Sequence, residues 1–302
     1  MRVVYRGDFD GTVCAAMLME LDMCDELAQT HPHDIQDGSF EITGQDILCN
    51  LPYHPDCHLW FDHRSDQAVE AGAVFSGGGV LYPSAAKLVY TRFEKDLEFL
   101  GKYKELVDEA DLFDGGLVTL QHLNDPQGSI LLALLLDPRT SLGLRHDYTI
   151  SNLQWSTQIP ELLTMHSVEE ILTMPHSQER VQRYREAEAG ARQFYGAHAT
   201  LDGNVIVSDL RGMQLPIGNR FLLYGLPALK EGNISVRIAD GKHEHLSVIS
   251  VGHSIVNRSS HVDAGALCAK YGGGGHEKAA SCQVSPEEAD QAFKEIIAAC
   301  KA

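Results

Sequence analysis

The stretch that decides the fold is MRVVYRGDFDG, residues 1–11. Residues 1–5 form a short apolar run that predicts a β-strand, and Asp8 and Asp10 follow it two positions apart. A glycine then allows a tight turn into segment 12–27, whose apolar residues recur at helical spacing. A strand, an acidic loop and a helix in this order favour an α/β fold, in which ligands bind beyond the carboxyl ends of the strands.

The same alternation continues further along the chain. Residues 47–49 and 59–61 are predicted strands, and residues 84–93 are a predicted helix that begins after a proline and a serine. Polar residues follow each strand, with Asn50 after one and Asp62-His63-Arg64 after the other. Strands that alternate with helices predict a parallel sheet with helices on its faces.

Three zones are predicted: an N-terminal parallel-sheet domain, a charged linker helix, and a smaller α/β C-terminal domain. Their expected bounds are 1–175, 176–198 and 199–302. In the third zone, predicted strands cover 204–207, 221–224, 234–238 and 246–251, and predicted helices cover 264–270 and 286–299. Ser167 and Glu170 fit a capping box, and Ser285 is the expected N-cap of the last helix.

Composition limits the class of protein. The chain has 302 residues, 44% of them hydrophobic, which is comfortable for two folded domains. Its seven cysteines are odd in number and lack a C-x-x-C pair, so we expect reduced thiols. No apolar stretch approaches the ~20 residues of a membrane span. With little room for a signal peptide, we expect a soluble, cytoplasmic protein without a membrane partner.

The formal net charge of -18 bears on binding partners. Duplex DNA is not expected, because groove binding needs a basic stripe. A short phosphorylated ligand in a locally basic pocket is compatible with this charge, and so is a site that gathers divalent cations. Acidity that serves only solubility is the alternative.

Two acidic segments suggest metal chemistry. Asp8 and Asp10 can direct two carboxylates at one small volume, and oxygen ligands of this type suit Mg²⁺ or Mn²⁺. Asp62-His63, directly after a strand, could supply a ligating imidazole with a carboxylate behind it. In isolation each segment fits a solvated turn better than a metal site, since Asp and Gly favour turns.

The C-terminal segment Gly272-Gly273-Gly274-Gly275-His276 suggests anion binding. Glycines allow a backbone to approach a ligand closely, and consecutive N–H groups can cradle an anion. His276 adds a donor that can be charged near neutral pH, and Lys278 adds a cation. The alternative is a flexible glycine-rich loop.

These motifs together resemble the DHH phosphoesterases with their DHH-associated C-terminal domain. The resemblance is carried by Asp8-Phe9-Asp10-Gly11, by Asp62-His63 and by the segment 273–280, GGGHEKAA, in matching order over nearly the whole chain. The family includes exopolyphosphatase-like proteins, nanoRNases, cyclic-dinucleotide phosphodiesterases and single-strand exonucleases. It implies a hydrolase with two Mn²⁺ or Mg²⁺ ions in a cleft between the domains, where the metals activate water and hold phosphoryl oxygens.

The resemblance also implies ligands for each metal. By position, Asp8 belongs to the first metal, and Asp10 and His63 belong to the second. Asn50 stands where the family has an aspartate that bridges both metals.

Further residues are assigned on the same basis. Asp111 would complete the second metal site, with Asp114 and Asp137 as rivals for that role. Asn257 and Arg258 resemble the family's substrate-binding segment. With Gly273, Gly274, Gly275, His276 and Lys278, they would bind substrate phosphate.

The chain departs from the family pattern at three positions. Arg6 stands where a metal-binding histidine is usual, Asn50 replaces the bridging aspartate, and Arg64 follows the catalytic pair Asp62-His63 in place of a second histidine. A guanidinium binds phosphate bidentately but cannot ligate a metal. We therefore hypothesise that Arg6 and Arg64 bind substrate phosphate and that one cation is favoured over two. The alternative is that these arginines only pair with Asp8 and Asp62.

Two functions follow from this pattern. The first is a metal-dependent phosphohydrolase that acts on a short single-stranded oligonucleotide, a cyclic dinucleotide or polyphosphate. The second is a catalytically impaired homologue that binds a nucleotide or phosphate without hydrolysing it. The oligomeric state is not determined by the sequence.

Overall fold

The structure is a computed structural model that describes residues 1–63, 82–241 and 245–301. Arg64, one of the predicted catalytic residues, lies outside these ranges. By its internal contacts the chain divides into two compact units. Unit 1 comprises Met1–Leu117 and Pro126–Tyr184, and unit 2 comprises Val118–Asp125 and Arg185–Ala302. The division falls inside the helix Pro175–His198, over the stretch predicted to be a linker helix.

The described part of unit 1 contains a parallel sheet in the order β2-β1-β3-β4, as the strand–helix alternation predicts. Its strands are β1 Arg2–Arg6, β2 Glu26–Thr30, β3 Asp46–Cys49 and β4 Leu59–Phe61. The helices from residue 1 to residue 198, in chain order, are α1 Phe9–Glu20, α2 Pro32–Gln36, α3 Ala85–Arg92, α4 Leu97–Leu100, α5 Lys104–Asp114, α6 Leu120–Asn124, α7 Gly128–Leu136, α8 Asn152–Ser156, α9 Ile159–Met165, α10 Val168–Thr173 and α11 Pro175–His198. Of these, α6 belongs to unit 2, and α11 contains the division between the units.

The predicted helix over 12–27 is wrong at both ends. Helix α1 begins at Phe9, because the Asp8 side chain caps it by accepting a hydrogen bond from the Gly11 N–H. It ends at Glu20, and Asp22 takes a left-handed conformation with φ 56°. The chain then returns as β2, which pairs with β1. The helical spacing of apolar residues continues across this turn, so the sequence pattern did not predict β2.

The core of unit 1 forms around the buried strands. Val4, Leu48 and Trp60 come from three neighbouring strands and pack with Ile35 and Ile42 on one side of the sheet. Every residue of β3 is buried. Burial of these strands leaves their carboxyl ends as the places where polar side chains can gather.

The described strands of unit 2 form a mixed sheet in the order β5-β6-β7-β8-β10-β9, in which only β6 and β7 pair in parallel. These strands are β5 Thr200–Asp202, β6 Val205–Asp209, β7 Ile234–Asp240, β8 Ser247–His253, β9 Gly274–His276 and β10 Ala279–Val284. Two helices follow β8 along the chain, α12 Ala264–Ala269 and α13 Pro286–Cys300. Both pack on one face of the sheet, against Val236, Ile249 and Cys282.

One predicted strand of unit 2 is wrong. Residues 221–224 lie in a 3₁₀ helix, Arg220–Gly225, because Asn219 accepts a hydrogen bond from the Phe221 N–H and starts a helical turn. The predicted capping box at Ser167 and Glu170 is confirmed.

All seven cysteines are free thiols, as predicted. Within the described residues, none of the helices combines the length and apolar character that crossing a membrane requires.

Candidate active site

Polar residues from three neighbouring strands meet at one edge of the parallel sheet. Asp8 and Asp10 follow β1, Asn50 follows β3, and Asp62 and His63 follow β4. Because parallel strands all end at the same edge, residues far apart in the sequence come together there. The sequence predicted that polar residues would lie together at this edge.

Asp10 is held by the start of another helix. Its side chain is buried, and its two oxygens accept hydrogen bonds from the Ala85 N–H at 2.9 Å and the Ala86 N–H at 2.7 Å. Ser84 caps this helix, α3, by accepting a hydrogen bond from the Lys87 N–H. The N–H groups at a helix start favour a negative charge, so α3 orients the Asp10 carboxylate.

Asp10, His63 and Asp114 form a group whose ligand atoms all lie within 4.8 Å of one another. His63 Nδ1 lies 3.6 Å from Asp10 Oδ2, and His63 Nε2 lies 3.9 Å from Asp114 Oδ2. Both separations are too long for a hydrogen bond. His63 Nδ1 is buried, and no residue in the described parts of the chain hydrogen-bonds to it. These distances leave the His63 ring facing both carboxylates without a hydrogen bond to either.

The electrostatics of the group fit a cation. Burial, followed by the charge of Asp8, raises the pKa of Asp10 to about 7. Burial, followed by the charge of Asp10, raises the pKa of Asp114 well above its ordinary value. Two crowded carboxylates resist ionisation together, and a positive ion between them would offset their repulsion. Two oxygens and one imidazole nitrogen are a donor set that Mn²⁺ accepts readily and that Mg²⁺ accepts with additional oxygen ligands.

The structure separates the three aspartates that the sequence left as rivals. Asp114, at the end of α5, lies in the group with Asp10 and His63. Asp111, one turn earlier, accepts a hydrogen bond from Ser84 Oγ at 2.6 Å and lies 3.4 Å from Lys87 Nζ. Which residue of this helix faces the site depends on how α5 is rotated, which the spacing alone could not reveal.

Asp137 is engaged elsewhere, by Arg139. The Arg139 Nε donates to both Asp137 oxygens at 2.9 Å, and Nη2 donates to Oδ2 at 2.6 Å. Burial lowers the pKa of Arg139, but the charge of Asp137, with those of Asp114 and Asp8, raises it overall. Arg139 therefore brings a positive charge near the acidic group. The sequence analysis considered Asp137 in the motif Asp137-Pro138-Arg139 as a metal ligand but did not assign a role to Arg139.

Asp8 stands outside the group and has three partners of its own. It accepts hydrogen bonds from the Gly11 N–H at 3.1 Å and from Asn50 Nδ2 at 3.0 and 3.1 Å, and it pairs with Arg6 Nε at 2.9 Å. Asn50 is buried with φ 54°, a left-handed conformation that asparagine tolerates well. Arg6 thus forms the pair with Asp8 that was the simpler of the two expectations for this arginine. Asp62 is buried, and its Oδ1 lies 3.6 Å from His63 Nδ1.

The glycine run of unit 2 has a structural reason at most of its positions. Gly272 and Gly275 have φ of 72° and 147°. A Cβ on Gly273 would lie 2.2 Å from Ser281 O, and one on Gly275 would lie 2.5 Å from Ala279 O. Gly274 differs, because nothing lies within 4 Å of the place its Cβ would occupy. The run forms the edge strand β9 paired with β10, and His276 and Lys278 are exposed there.

The predicted substrate-binding pair Asn257 and Arg258 divides into two roles. The Asn257 amide is occupied, since Nδ2 donates to Glu231 O at 2.8 Å and Oδ1 accepts from Ser259 Oγ at 2.9 Å. Arg258 is exposed, and within the described residues its guanidinium donates to two backbone carbonyls, to Ile255 O at 3.1 Å and Val118 O at 3.2 Å. Asn257 therefore shapes the loop, whereas Arg258 presents its charge to solvent.

An acidic group at the carboxyl edge of a parallel sheet lies where α/β proteins bind their ligands, and it is compatible with the class of α/β phosphoesterases. Comparison with solved structures supports this class. A pGpG-specific phosphodiesterase, PggH from Vibrio cholerae, is 34% identical, covers 98% of this chain and 99% of its own, and superposes with a TM-score of 0.83.

Two more distant structures share the fold. The DHH domain of a protein assigned to a family of ribosomal proteins is 12% identical, covers 100% of this chain and 87% of its own, and has a TM-score of 0.56. RecJ from Thermus thermophilus in complex with Mn²⁺ is 15% identical, covers 98% of this chain and 51% of its own, and has a TM-score of 0.54. No family model and no curated protein matched the sequence.

The chain belongs to the DHH phosphoesterase family, and as a member of that family it is a hydrolase. Identity of 34% over nearly the full length of PggH is the finding that places it there.

Proposed function

We propose that the protein hydrolyses the phosphodiester bond of a short linear dinucleotide, with one divalent cation held by Asp10, His63 and Asp114. The observation that carries the proposal is the convergence of these three side chains, whose ligand atoms lie within 4.8 Å of one another. The resemblance to PggH, a pGpG-specific phosphodiesterase, favours a linear dinucleotide over a cyclic dinucleotide or polyphosphate.

The residues around the site have separate tasks in this proposal. The N–H groups of Ala85 and Ala86 fix the Asp10 carboxylate, and the buried carboxylate of Asp62, 3.6 Å from Nδ1, favours one orientation of the His63 ring. A cation bound here supplies Lewis-acid activation of water and of the phosphoryl oxygen. Mn²⁺ is the better fit because one of the three ligands is an imidazole, and Mg²⁺ is the alternative.

One cation is proposed because Asp8 already has positive and hydrogen-bonding partners. The Arg6 guanidinium lies 2.9 Å from Asp8 Oδ2, and the Asn50 amide donates to both Asp8 oxygens. A second cation at Asp8 would have to displace a fixed positive charge and an amide that cannot give up a proton. The charges of Asp8 and Asp114 also act on Arg139, so the two arginines, Arg6 and Arg139, leave this part of the edge suited to an anionic phosphate oxygen.

In unit 2, Arg258, His276 and Lys278 are proposed to bind substrate phosphate. All three side chains are exposed and basic, whereas the protein as a whole has a net charge of -18. Gly274, with open space beside it, allows a phosphate to approach the backbone of β9. The engaged amide of Asn257 supports a role in holding the loop that carries Arg258.

The test is hydrolysis by the purified protein with Mn²⁺. Linear pGpG, cyclic dinucleotide, polyphosphate and bis(p-nitrophenyl) phosphate are supplied separately, and product release is measured. We expect turnover of pGpG and a loss of at least about 100-fold in Asp114→Asn, since even residues that only support metal ligands typically contribute 10- to 100-fold. Asp111→Asn, the same change one helical turn away, is the matched control and should stay within a few-fold of wild type.

Three outcomes contradict parts of this proposal. Saturable pGpG binding without turnover of any substrate would mean that the protein is a binder. Equal losses in the two variants would remove the assignment of Asp114 to the cation. Two tight Mn²⁺ sites per chain in a calorimetric titration would refute the single cation while leaving the hydrolase intact.

A further inference from the structure

One face of the unit 2 sheet carries a row of polar side chains at a single register. Ser281 in β10 is paired with Ser250 in β8, Ser250 with Arg237 in β7, and Arg237 with Ser208 in β6. The row also continues the other way, because Ser281 is paired with Gly274 of the glycine strand. Neighbouring strands lie roughly 4.8 Å apart, so the backbones of Gly274 and Arg237 are about 14 Å apart across the sheet.

This row lies on the face opposite the hydrophobic core. The adjacent registers, which include Val236, Ile249 and Cys282, pack against α12 and α13. Since side chains alternate along a strand, the residues between them point to the other face. Ser281 is exposed there, and Ser250 and Arg237 are partly exposed. Gly274, which has neither a positive φ nor a Cβ contact, belongs to the same face.

Arg237 is a partly exposed arginine on a central strand of the unit 2 sheet. Among the residues that the structure describes, its guanidinium has neither an ion-pair nor a hydrogen-bond partner. Arg2, Arg6 and Arg139, by contrast, are each paired with an aspartate. Acidic residues outnumber basic ones by 42 to 24. An arginine on a central strand that has no acidic partner is therefore available to bind a ligand.

On the face that carries Arg237, its neighbours include two serines, Ser235 on β7 and Ser250 on β8. Ser235 shares a hydrogen bond with Tyr224 Oη at 2.9 Å, and Ser250 is its direct neighbour in β8. Burial raises the pKa of Tyr224 and Tyr195, and the charges of Arg237 and Arg220 act against that rise in both. A fork of N–H donors beside hydroxyl groups matches a planar ligand edge with two acceptors.

We propose that Arg237 is a specificity-determining residue that reads a guanine base of the substrate, with Ser250 and Ser281 lining the same face toward the glycine strand. This inference rests on the proposed function and names the base of its substrate. Guanine presents O6 and N7 as paired acceptors, the pattern that arginine binds bidentately. Adenine offers N7 beside an N–H donor and cannot accept both bonds. The resemblance to a pGpG-specific enzyme favours this interpretation over a phosphate contact.

The experiment compares Arg237→Ala with wild type on pGpG and pApA in the presence of Mn²⁺. We expect Arg237→Ala to lower the ratio of kcat/KM for pGpG to that for pApA by about 5- to 150-fold, the range of discrimination that a bidentate arginine–guanine pair supplies. Activity on bis(p-nitrophenyl) phosphate, which has no base, should not change. Arg237→Lys, which keeps the charge but loses the fork, should not restore the ratio.

Arg185→Ala is the matched control, because Arg185 is an exposed arginine on α11 within unit 2. It should leave the ratio unchanged. Equal losses on pGpG and pApA in Arg237→Ala would overturn guanine recognition and indicate a phosphate contact, which a comparison of pGpG with GpG would then reveal. An unchanged ratio in Arg237→Ala would overturn the inference outright, while turnover by wild type would leave the proposed function standing.

A failure of the proposed function is separable from a failure of this inference. If wild type hydrolyses none of these substrates, binding of fluorescein-labelled pGpG and pApA is measured by anisotropy. The same loss of guanine preference in Arg237→Ala would then support the inference in a protein that only binds. Equal dissociation constants of wild type and Arg237→Ala for labelled pGpG would overturn it. Circular dichroism verifies that Arg237→Ala is folded. Ser250→Val, which removes the neighbouring hydroxyl, serves as a second variant, with a smaller expected loss of guanine preference.

Discussion

Replacing Asp10 by asparagine should stabilise the cation-free protein at high pH and destabilise it at low pH. Asp10 is buried, and its pKa is raised to about 7 by burial and then by the charge of Asp8. Raising a carboxyl pKa from about 4 to about 7 corresponds to about 4 kcal/mol of unfavourable free energy when the group is ionised. Asparagine has nearly the same shape and removes that charge.

The substitution also removes one hydrogen-bond acceptor. Asp10 accepts from the N–H groups of both Ala85 and Ala86, and asparagine can accept from only one of them. A buried donor left without a partner costs about 1–3 kcal/mol. At pH 8 without metal the two effects together leave Asp10→Asn more stable than wild type by about 1–3 kcal/mol.

The sign reverses in acid. A carboxyl whose pKa is raised on folding binds a proton more tightly in the folded state, so the contribution of Asp10 to wild-type stability is most favourable at and below pH 4 and falls as pH rises toward 7. At pH 4 the folded-state carboxyl is neutral, and ionisation in the unfolded state leaves only about 0.5 kcal/mol of the penalty beside the lost acceptor. Asp10→Asn should then be less stable than wild type by about 0.5–2.5 kcal/mol.

The assay is urea unfolding in EDTA at pH 4 and pH 8, followed by tryptophan fluorescence. Both tryptophans, Trp60 and Trp155, are buried in unit 1, so the signal reports the unit that carries Asp10. Mn²⁺ at about 100 times its dissociation constant should then stabilise wild type by about 2.7 kcal/mol and leave Asp10→Asn nearly unchanged.

Asp46→Asn is the control with the opposite expected sign. Burial opposes ionisation of Asp46, but hydrogen bonds from Arg2 and Thr43 lower its pKa overall. Asp46→Asn should therefore destabilise the protein at pH 8, and Mn²⁺ should still stabilise this variant. If Asp10→Asn were less stable than wild type at both pH values in EDTA, or if Mn²⁺ stabilised it as much as wild type, the reasoning about this site would be refuted.

Three further predictions follow from the same contacts. Gly274→Ala should leave the melting temperature unchanged, because its Cβ would have open space, yet raise KM for pGpG at least several-fold; an unchanged KM would mean that no ligand approaches β9. Calorimetric Mn²⁺ affinity should rise by at least about tenfold per pH unit below about 7, because the cation displaces the protons of Asp10 and Asp114, and a flat profile would contradict the assignment. The double variant Arg6→His with Asn50→Asp should increase Mn²⁺ stoichiometry from one to two by freeing Asp8, whereas a stoichiometry that stays at one would show that these two residues do not prevent a second ion.

Much of the site was accessible to sequence reasoning, because short motifs directly after strands carry it. The apolar runs before Asp8, Asn50 and Asp62 predicted strands, and parallel strands bring such residues to one edge. The mistaken strand at 221–224 and the missed strand β2 show the limit of this approach. In both places a local turn, started by one or two residues, outweighed an apolar pattern that was equally compatible with another element.

The acidic loop was the feature that the sequence itself determined, since Asp8, Asp10 and the glycine after them must lie between a strand and a helix. Their roles were decided by tertiary structure. Asp10 accepts hydrogen bonds at the start of α3, 75 residues away in the chain. Asp8 instead pairs with Arg6 and accepts hydrogen bonds from Asn50. The choice of Asp114 over Asp111 depends on the rotation of α5. Spacing fixes which residues a helix or strand can present, but only the packing of distant elements fixes which charge each one meets.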